Sequence, residues 1–178
     1  LIGLAQGLNQ ILDLAKSLDA STPGRFVLVG DGPAREDLEK RIERESIDRV
    51  KIVPAQPRER IPALLASADV AIISLGMAIP GAVPSKIYEA MASSLPILLI
   101  ADGEPAKRIK NAKCGIAVSP SDTQNLLPTF KQLACDAELR RQYGEQGRAA
   151  AETTYNRDHI AAMLDRVLRD VLPASRDI

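Results

Sequence analysis

The chain is short of most residues that announce a chemistry. It has one histidine, His159, and two cysteines, Cys114 and Cys135, at no metal-ligand spacing. A metal cluster and a disulfide framework are therefore disfavoured, and the two thiols read as small core residues in a reducing compartment. No serine stands in a nucleophile elbow and no cysteine has a partnered histidine, which argues against a triad hydrolase. The 23 basic residues balance 23 acidic ones, so the general electrostatic pull toward nucleic acid or an anionic membrane is absent for the whole chain. Apolar runs such as 95–101 are too short to cross a bilayer, and no basic-then-apolar leader opens the sequence. Nothing addresses the chain outside the cytosol. Aromatic residues make up only 3%, so stacking on a base is not signalled. Tyr88 is expected in the core or at a domain interface.

What is abundant is apolar residues, 46% of 178, enough for one well-cored domain over 1–178. Continuous apolar runs at Arg25–Gly30, Val50–Val53, Asp69–Leu75, Leu95–Ile100 and Gly115–Val118 read as strands buried on both faces. Helical periodicity fills the intervals at Leu8–Leu18, Pro33–Glu45, Ile61–Ser67, Ser85–Ala92, Pro105–Asn111 and Asp122–Ala134. Strands alternating with helices predict a three-layer α/β/α domain whose parallel sheet has about five or six strands. From about 137 to 172 the pattern is helical without further strands. Those helices are expected to pack on the sheet or reach toward another domain. Pro33 suits a first helical turn, Ser85 an N-cap, and Ser121 with Asp122 a helix start. The opening helix has no strand before it, and the chain begins at Leu1 without a methionine. Both points suggest a piece of a longer protein.

The candidate chemistry gathers where strands end and helices begin, the edge at which open α/β sheets bind nucleotides. Glu89 lies in a helix beside Ile87, Ala90 and Met91, and Ala92-Ser93-Ser94 lets that helix lie close to the sheet. A carboxylate so placed can accept both hydroxyls of a ribose; it can equally be a solvated helix carboxylate paired with Lys86. The preceding Pro80-Gly81-Ala82-Val83-Pro84 leaves amides free to face a diphosphate, with Ser85 and Lys86 at the helix start, or is a proline-stiffened loop. Gly30-Asp31-Gly32-Pro33 either approaches a phosphate or is a structural turn; it has neither the third glycine of the dinucleotide fingerprint nor the glycine-lysine pair of a P-loop. Glu104 follows the next strand, where it can touch a ligand or stabilise a helix dipole.

Taken in order, VGDGP, ASADVAIIS, PSKIYEAMASSLPILL and GIAVSPSD followed by a helical run resemble the C-terminal, Rossmann-like half of a family 4 (group 1) GT-B glycosyltransferase. The likeness covers nearly the whole chain and is nearest to bacterial surface-polysaccharide sugar transferases. It implies a domain that binds a nucleoside-diphosphate sugar as substrate, with no cofactor and no metal, while a separate N-terminal domain takes the glycan or lipid-linked acceptor. Transfer would retain the anomeric configuration. It also implies a cytoplasmic protein, with membrane contact, at the inner face, only through the longer chain. On this resemblance Glu89 is the second glutamate of the family's Glu-seven residues-Glu motif, the one that binds the donor ribose. The first would fall at Gly81, so no residue is assigned a catalytic role. Gln6, before Gly7, stands where a basic residue is common, and Lys86 is expected to compensate. Ala55 and Gln56 belong to the loop that frames the base through main-chain groups.

Two other readings remain open at this point: half of a nucleotide-sugar epimerase, and a noncatalytic Rossmann-like module whose site has decayed at Gly81 and Gln6. A phosphoacceptor receiver domain is disfavoured, because Asp31 and Asp69 do not form its acidic cluster.

Overall fold

The structure is a computed structural model that describes residues 2–77 and 79–171. Its five strands are β1 (Phe26–Val29), β2 (Val50–Val53), β3 (Ala71–Ser74), β4 (Ile97–Ile100) and β5 (Gly115–Val118). All pairings are parallel, but they form two sheets, β1 with β2 and β3-β4-β5. The α-helices among the described residues are α1 (Asn9–Ser17), α2 (Arg35–Arg44), α3 (Ile61–Ala66), α4 (Lys86–Ala92), α5 (Glu104–Ala112), α6 (Thr123–Cys135), α7 (Ala137–Glu152) and α8 (Arg157–Val171).

Two cores sandwich the strands. One packs α1, α2 and α6 against Phe26, Leu98, Ile100 and Val118; the other packs α4 and α5 against Ile73, Ile97 and Leu99. Strand β4 feeds both, which explains its unbroken Ile-Leu-Leu-Ile run: all four side chains are buried. At about 1.5–3 kcal/mol per buried aliphatic side chain, this one strand contributes roughly 6–12 kcal/mol of hydrophobic stabilisation before entropy is counted. Helix α7 joins the cores, with Leu139 and Tyr143 packing on the first and Ala151 on the second. It lies close because Gly144 faces the Ser94 carbonyl and Gly147 faces Met91 and Cys114. Asp122 and Asp136 cap α6 and α7 by accepting the Asn125 and Leu139 amides at 3.3 and 2.8 Å.

Several expectations need correction. Strands β1 and β2 are not buried on both faces: Val27 is 56% exposed and Lys51 is exposed, since among the described residues no helix covers that side of the pair as α1 and α2 cover the other. Ser85 precedes α4 without a side-chain capping bond, and Pro33 sits in the turn before α2. Cys114 is buried as expected, but Cys135 is exposed at the end of α6. Of the two placements expected for the helices after residue 137, α7 takes the first, whereas α8 does not pack on the sheet. Its apolar residues Ile160, Met163, Leu164, Val167, Leu168 and Val171 recur at helical spacing and are all about half exposed or more.

Candidate functional site

Connections from β1 run outward to β2, whereas those from β3 run the other way to β4 and β5. The chain direction therefore reverses between β1 and β3, and the carboxyl ends of these strands flank the crevice in which open α/β sheets bind ligands. Residues 2–7 strap across it. The Ile2 amide donates to the Asp31 carbonyl at 2.8 Å, and the Ala34 amide donates to the Ile2 carbonyl at 3.2 Å. On the other side the Gly76 amide donates to the Ala5 carbonyl at 2.8 Å, and Ser74 Oγ donates to the Gln6 carbonyl at 2.6 Å.

Two predicted glycines are required by this strap. Gly7 has φ +60°, and a Cβ there would lie 2.8 Å from the Gly76 nitrogen; Gly32 has φ +152° and would drive a Cβ into the Ile2 carbonyl. Both lie against the strap. Gln6 takes part through its main chain, and its side-chain oxygen is buried without a partner. The loop after β3 then leads through Gly81 and Pro84 to α4. Gly81 has φ +77°, and among the described residues nothing lies within 4 Å of its would-be Cβ.

Helix α4 buries Ile87, Ala90 and Met91 and turns Glu89 outward. Among the described residues Glu89 has no hydrogen-bonded or ionic partner, and the expected alternative of a pair with Lys86 does not form. The amides of Ile87, Tyr88 and Glu89 are taken by the Pro84 and Ser85 carbonyls at 3.0–3.2 Å. Those of Ser85 and Lys86 have no acceptor among the described residues, and both side chains are exposed. An open carboxylate thus stands within one turn of an ammonium group and two free amides, an arrangement able to take a polyhydroxyl group and an anion together.

The remaining predicted residues are not drawn into this cluster. Glu104 pairs with Arg108 at 3.2 Å and Lys107 at 3.9 Å within α5, the helix-terminal use. Ala55 and Gln56 follow β2, the outer strand, and Gln56 Nε2 donates to the Pro54 carbonyl at 3.1 Å. Sequence reasoning missed Ser74 and Gly76, which anchor the strap; the glycine directly after an apolar strand was the available signal. It also missed Ser119, whose Oγ donates to Asp102 Oδ2 at 2.9 Å across the ends of β4 and β5. An open cavity lined by Pro23, Gly24, Phe26 and Asp48 lies at the opposite ends of the strands.

Sheet, switch point and strap define an open, doubly wound α/β domain. The chain belongs to the family described as glycosyl transferases group 1, which it matches over residues 2–150. It is 28% identical over 174 residues to alpha-D-kanosaminyltransferase of Streptomyces kanamyceticus, covering 96% of this chain and 44% of that protein. Its fold matches Anabaena HepE in complex with UDP, with a TM-score of 0.83 at 19% identity over 95% of this chain and 46% of the other. It also matches the C-terminal domain of the group 1 protein LpcC from Francisella tularensis, with a TM-score of 0.71 at 20% identity over 86% of this chain and 82% of that one. The fold is that of one half of a GT-B glycosyltransferase. The chain spans less than half the length of the kanosaminyltransferase.

Proposed function

We propose that this domain is the donor-binding half of a retaining glycosyltransferase that moves a sugar from a nucleoside-diphosphate sugar to a glycan or lipid-linked acceptor. The observation that carries the reading is Glu89, exposed and unpartnered beside the free Ser85 and Lys86 amides at the switch point. Glu89 accepts the two ribose hydroxyls. Lys86 and the neighbouring amides face the diphosphate and stabilise the charge that grows on it as the sugar leaves. Loop 79–84 borders the sugar, and the Ala55-Gln56 loop frames the base. The nucleotide sugar is a substrate and no resident cofactor is needed. The acceptor is supplied by a second, N-terminal domain, and the apolar stripe of α8 is a surface on which such a domain fits. Any membrane contact belongs to that longer protein. Among the described residues no helix is long and apolar enough to cross a membrane. Positioning of two substrates between two domains supplies the rest of the rate enhancement, so this chain alone transfers nothing.

The test is calorimetric titration with UDP, GDP and ADP. UDP comes first, because HepE is described in complex with it. One nucleotide is expected to bind at roughly 0.1–1 mM, about −4 to −5.5 kcal/mol. Two hydrogen bonds to a charged acceptor are worth about 3–6 kcal/mol together, so Glu89→Ala abolishes measurable binding, and Lys86→Ala weakens it. Unchanged affinity in Glu89→Ala, or binding of none of the three, refutes this reading, as does donor-dependent transfer by the chain alone.

A further inference from the structure

The mouth of the crevice is apolar. Leu4 on the strap is 80% exposed, and Met77 and Ile79 in the loop after β3 are 65% and 60% exposed. Scattered exposed apolar side chains are ordinary on a protein surface. These three are gathered on one rim: the Gly76 amide donates to the Ala5 carbonyl at 2.8 Å, and Leu4 and Met77 adjoin those two residues. The loop then turns sharply. The Ala82 amide donates to the Ile79 carbonyl at 3.1 Å across Pro80 and Gly81, the latter at φ +77°, the pattern of a type II turn. Ile79 is thus the first residue of a closed turn, and Val83 beyond it packs on the core of α4 and α5.

Between Gly76 and Pro84 the described side chains are Met77, Ile79, Pro80, Ala82 and Val83, with none at Gly81. None carries a hydroxyl, an amide or a charge. Polar side chains at the adjoining strand ends are already engaged. Ser74 Oγ donates to the Gln6 carbonyl at 2.6 Å, and Asp102 accepts Ser119 Oγ at 2.9 Å, toward β5 and away from β3. A sugar hydroxyl brought against this rim gives up water without a side-chain partner, whereas a methyl group gains from the contact.

A nucleoside-diphosphate sugar runs in the order ribose, diphosphate, hexose. On the donor-binding reading, on which this inference rests, Glu89 takes the ribose and the start of α4 the diphosphate. The next stretch in the same direction is the loop before α4, so the hexose meets Met77 and Ile79. We propose that the sugar carried by the donor is a 6-deoxyhexose, whose methyl group, in place of the usual hydroxymethyl, lies against Met77 and Ile79. An apolar contact rejects an added hydroxyl only modestly, by about 100-fold at most. Donors with the full set of hydroxyls are therefore disfavoured and not barred.

The test is calorimetric titration of this chain with UDP, UDP-glucose and UDP-6-deoxyglucose, or with the matching trio on GDP or ADP where that base binds instead. The 6-deoxy donor is expected to bind about 5-fold or more tighter than its hydroxylated counterpart, the worth of roughly one buried methyl-sized group. In the double variant Met77→Ser, Ile79→Ser this ratio falls to less than half, because the apolar contact is gone and the new hydroxyls can bond the sugar. Both positions are exposed, so the substitutions leave the fold intact. A ratio below about 5 in the parent, with the nucleotide itself still bound, overturns this inference and leaves the donor-binding reading standing. A ratio that does not fall by half in the double variant also overturns it, since Met77 and Ile79 then face something other than the sugar, such as an adjoining domain. Binding of none of UDP, GDP and ADP refutes the donor-binding reading and this inference with it.

Discussion

Gly7 and Gly81 make a controlled pair. Both have positive φ, at +60° and +77°, and both follow a strap or strand end at the crevice, yet a Cβ at Gly7 meets the Gly76 nitrogen at 2.8 Å and its Cα at 3.0 Å, whereas one at Gly81 meets nothing within 4 Å among the described residues. Alanine in a left-handed conformation costs about 1–2 kcal/mol at either site. At Gly7 the collision also forces strap and β3 loop apart. The Gly76 to Ala5 and Ser74 to Gln6 bonds, 2.8 and 2.6 Å long, are then stretched or lost at about 1 kcal/mol each. Gly7→Ala is therefore expected to destabilise by about 3–4 kcal/mol and Gly81→Ala by about 1–2 kcal/mol. For a domain of this size that corresponds to Tm losses of roughly 6–16 °C against roughly 2–8 °C. Urea midpoints measured on both variants with a common slope give the difference directly, and exchange of the Gly76 amide locates it. Equal losses in the two variants, or a Gly7→Ala chain whose Gly76 amide stays protected, would refute the close approach of strap and loop as the reason for the glycine.

The thiols should separate: burial pushes the Cys114 thiol up to about 11, while Cys135 is exposed. A colorimetric thiol assay near pH 8 should titrate Cys135 quickly and Cys114 at least about 100-fold more slowly until denaturant is added. The Glu45 carboxyl is held down at about 2, first by Arg41 and then by Arg44 and Lys16. Its contribution is present above the ordinary glutamate value, roughly 4.3, and is lost as pH falls toward 2. The difference in urea midpoint between the parent and Glu45→Gln should therefore shrink over that window, and a constant difference would contradict it. Leu98, buried between the layers, and Leu164, exposed on α8, should respond differently to alanine: about 3–5 kcal/mol of lost stability for Leu98→Ala and within about 0.5 kcal/mol for Leu164→Ala, read by the same unfolding assay.

Much of this layout is legible in the chain because local signals agreed with the tertiary ones. Val50–Val53 and Gly115–Val118 form strands with the bounds their apolar runs suggest, and every helical stretch read from periodicity exists within two residues at either end. Central β4 is buried on both faces, as a continuous apolar run requires. The same rule failed for β1 and β2, since Phe-Val-Leu-Val is equally apolar whether or not a helix covers its second face. Sequence periodicity describes a strand and says nothing about its neighbours. At the site, the carboxylate of Glu89 and the glycines at 7 and 32 were readable, because helix register and strand-to-helix turns are local. The strap was not readable, because its partners Ser74 and Gly76 lie about 70 residues away along the chain and bond through main chain that any residue could supply. Glu104 shows what a position at a strand end leaves out: the ion pair it makes with Arg108, one turn on, is local but was not read from the sequence.

Tyr155 stands at the root of α8, its ring 5.1 Å from that of Tyr88 and capped by the Arg108 guanidinium at 5.5 Å from its centre. Tyr88 is the residue before Glu89. The turn that leads into α8 thus rests, ring on ring, against the helix that carries the site's carboxylate. Fifteen residues of helix reach about 22 Å. Helix α8, which bears the apolar stripe, therefore starts two residues beyond a ring contact with the helix that carries Glu89, so a partner docked at its root lies close to α4.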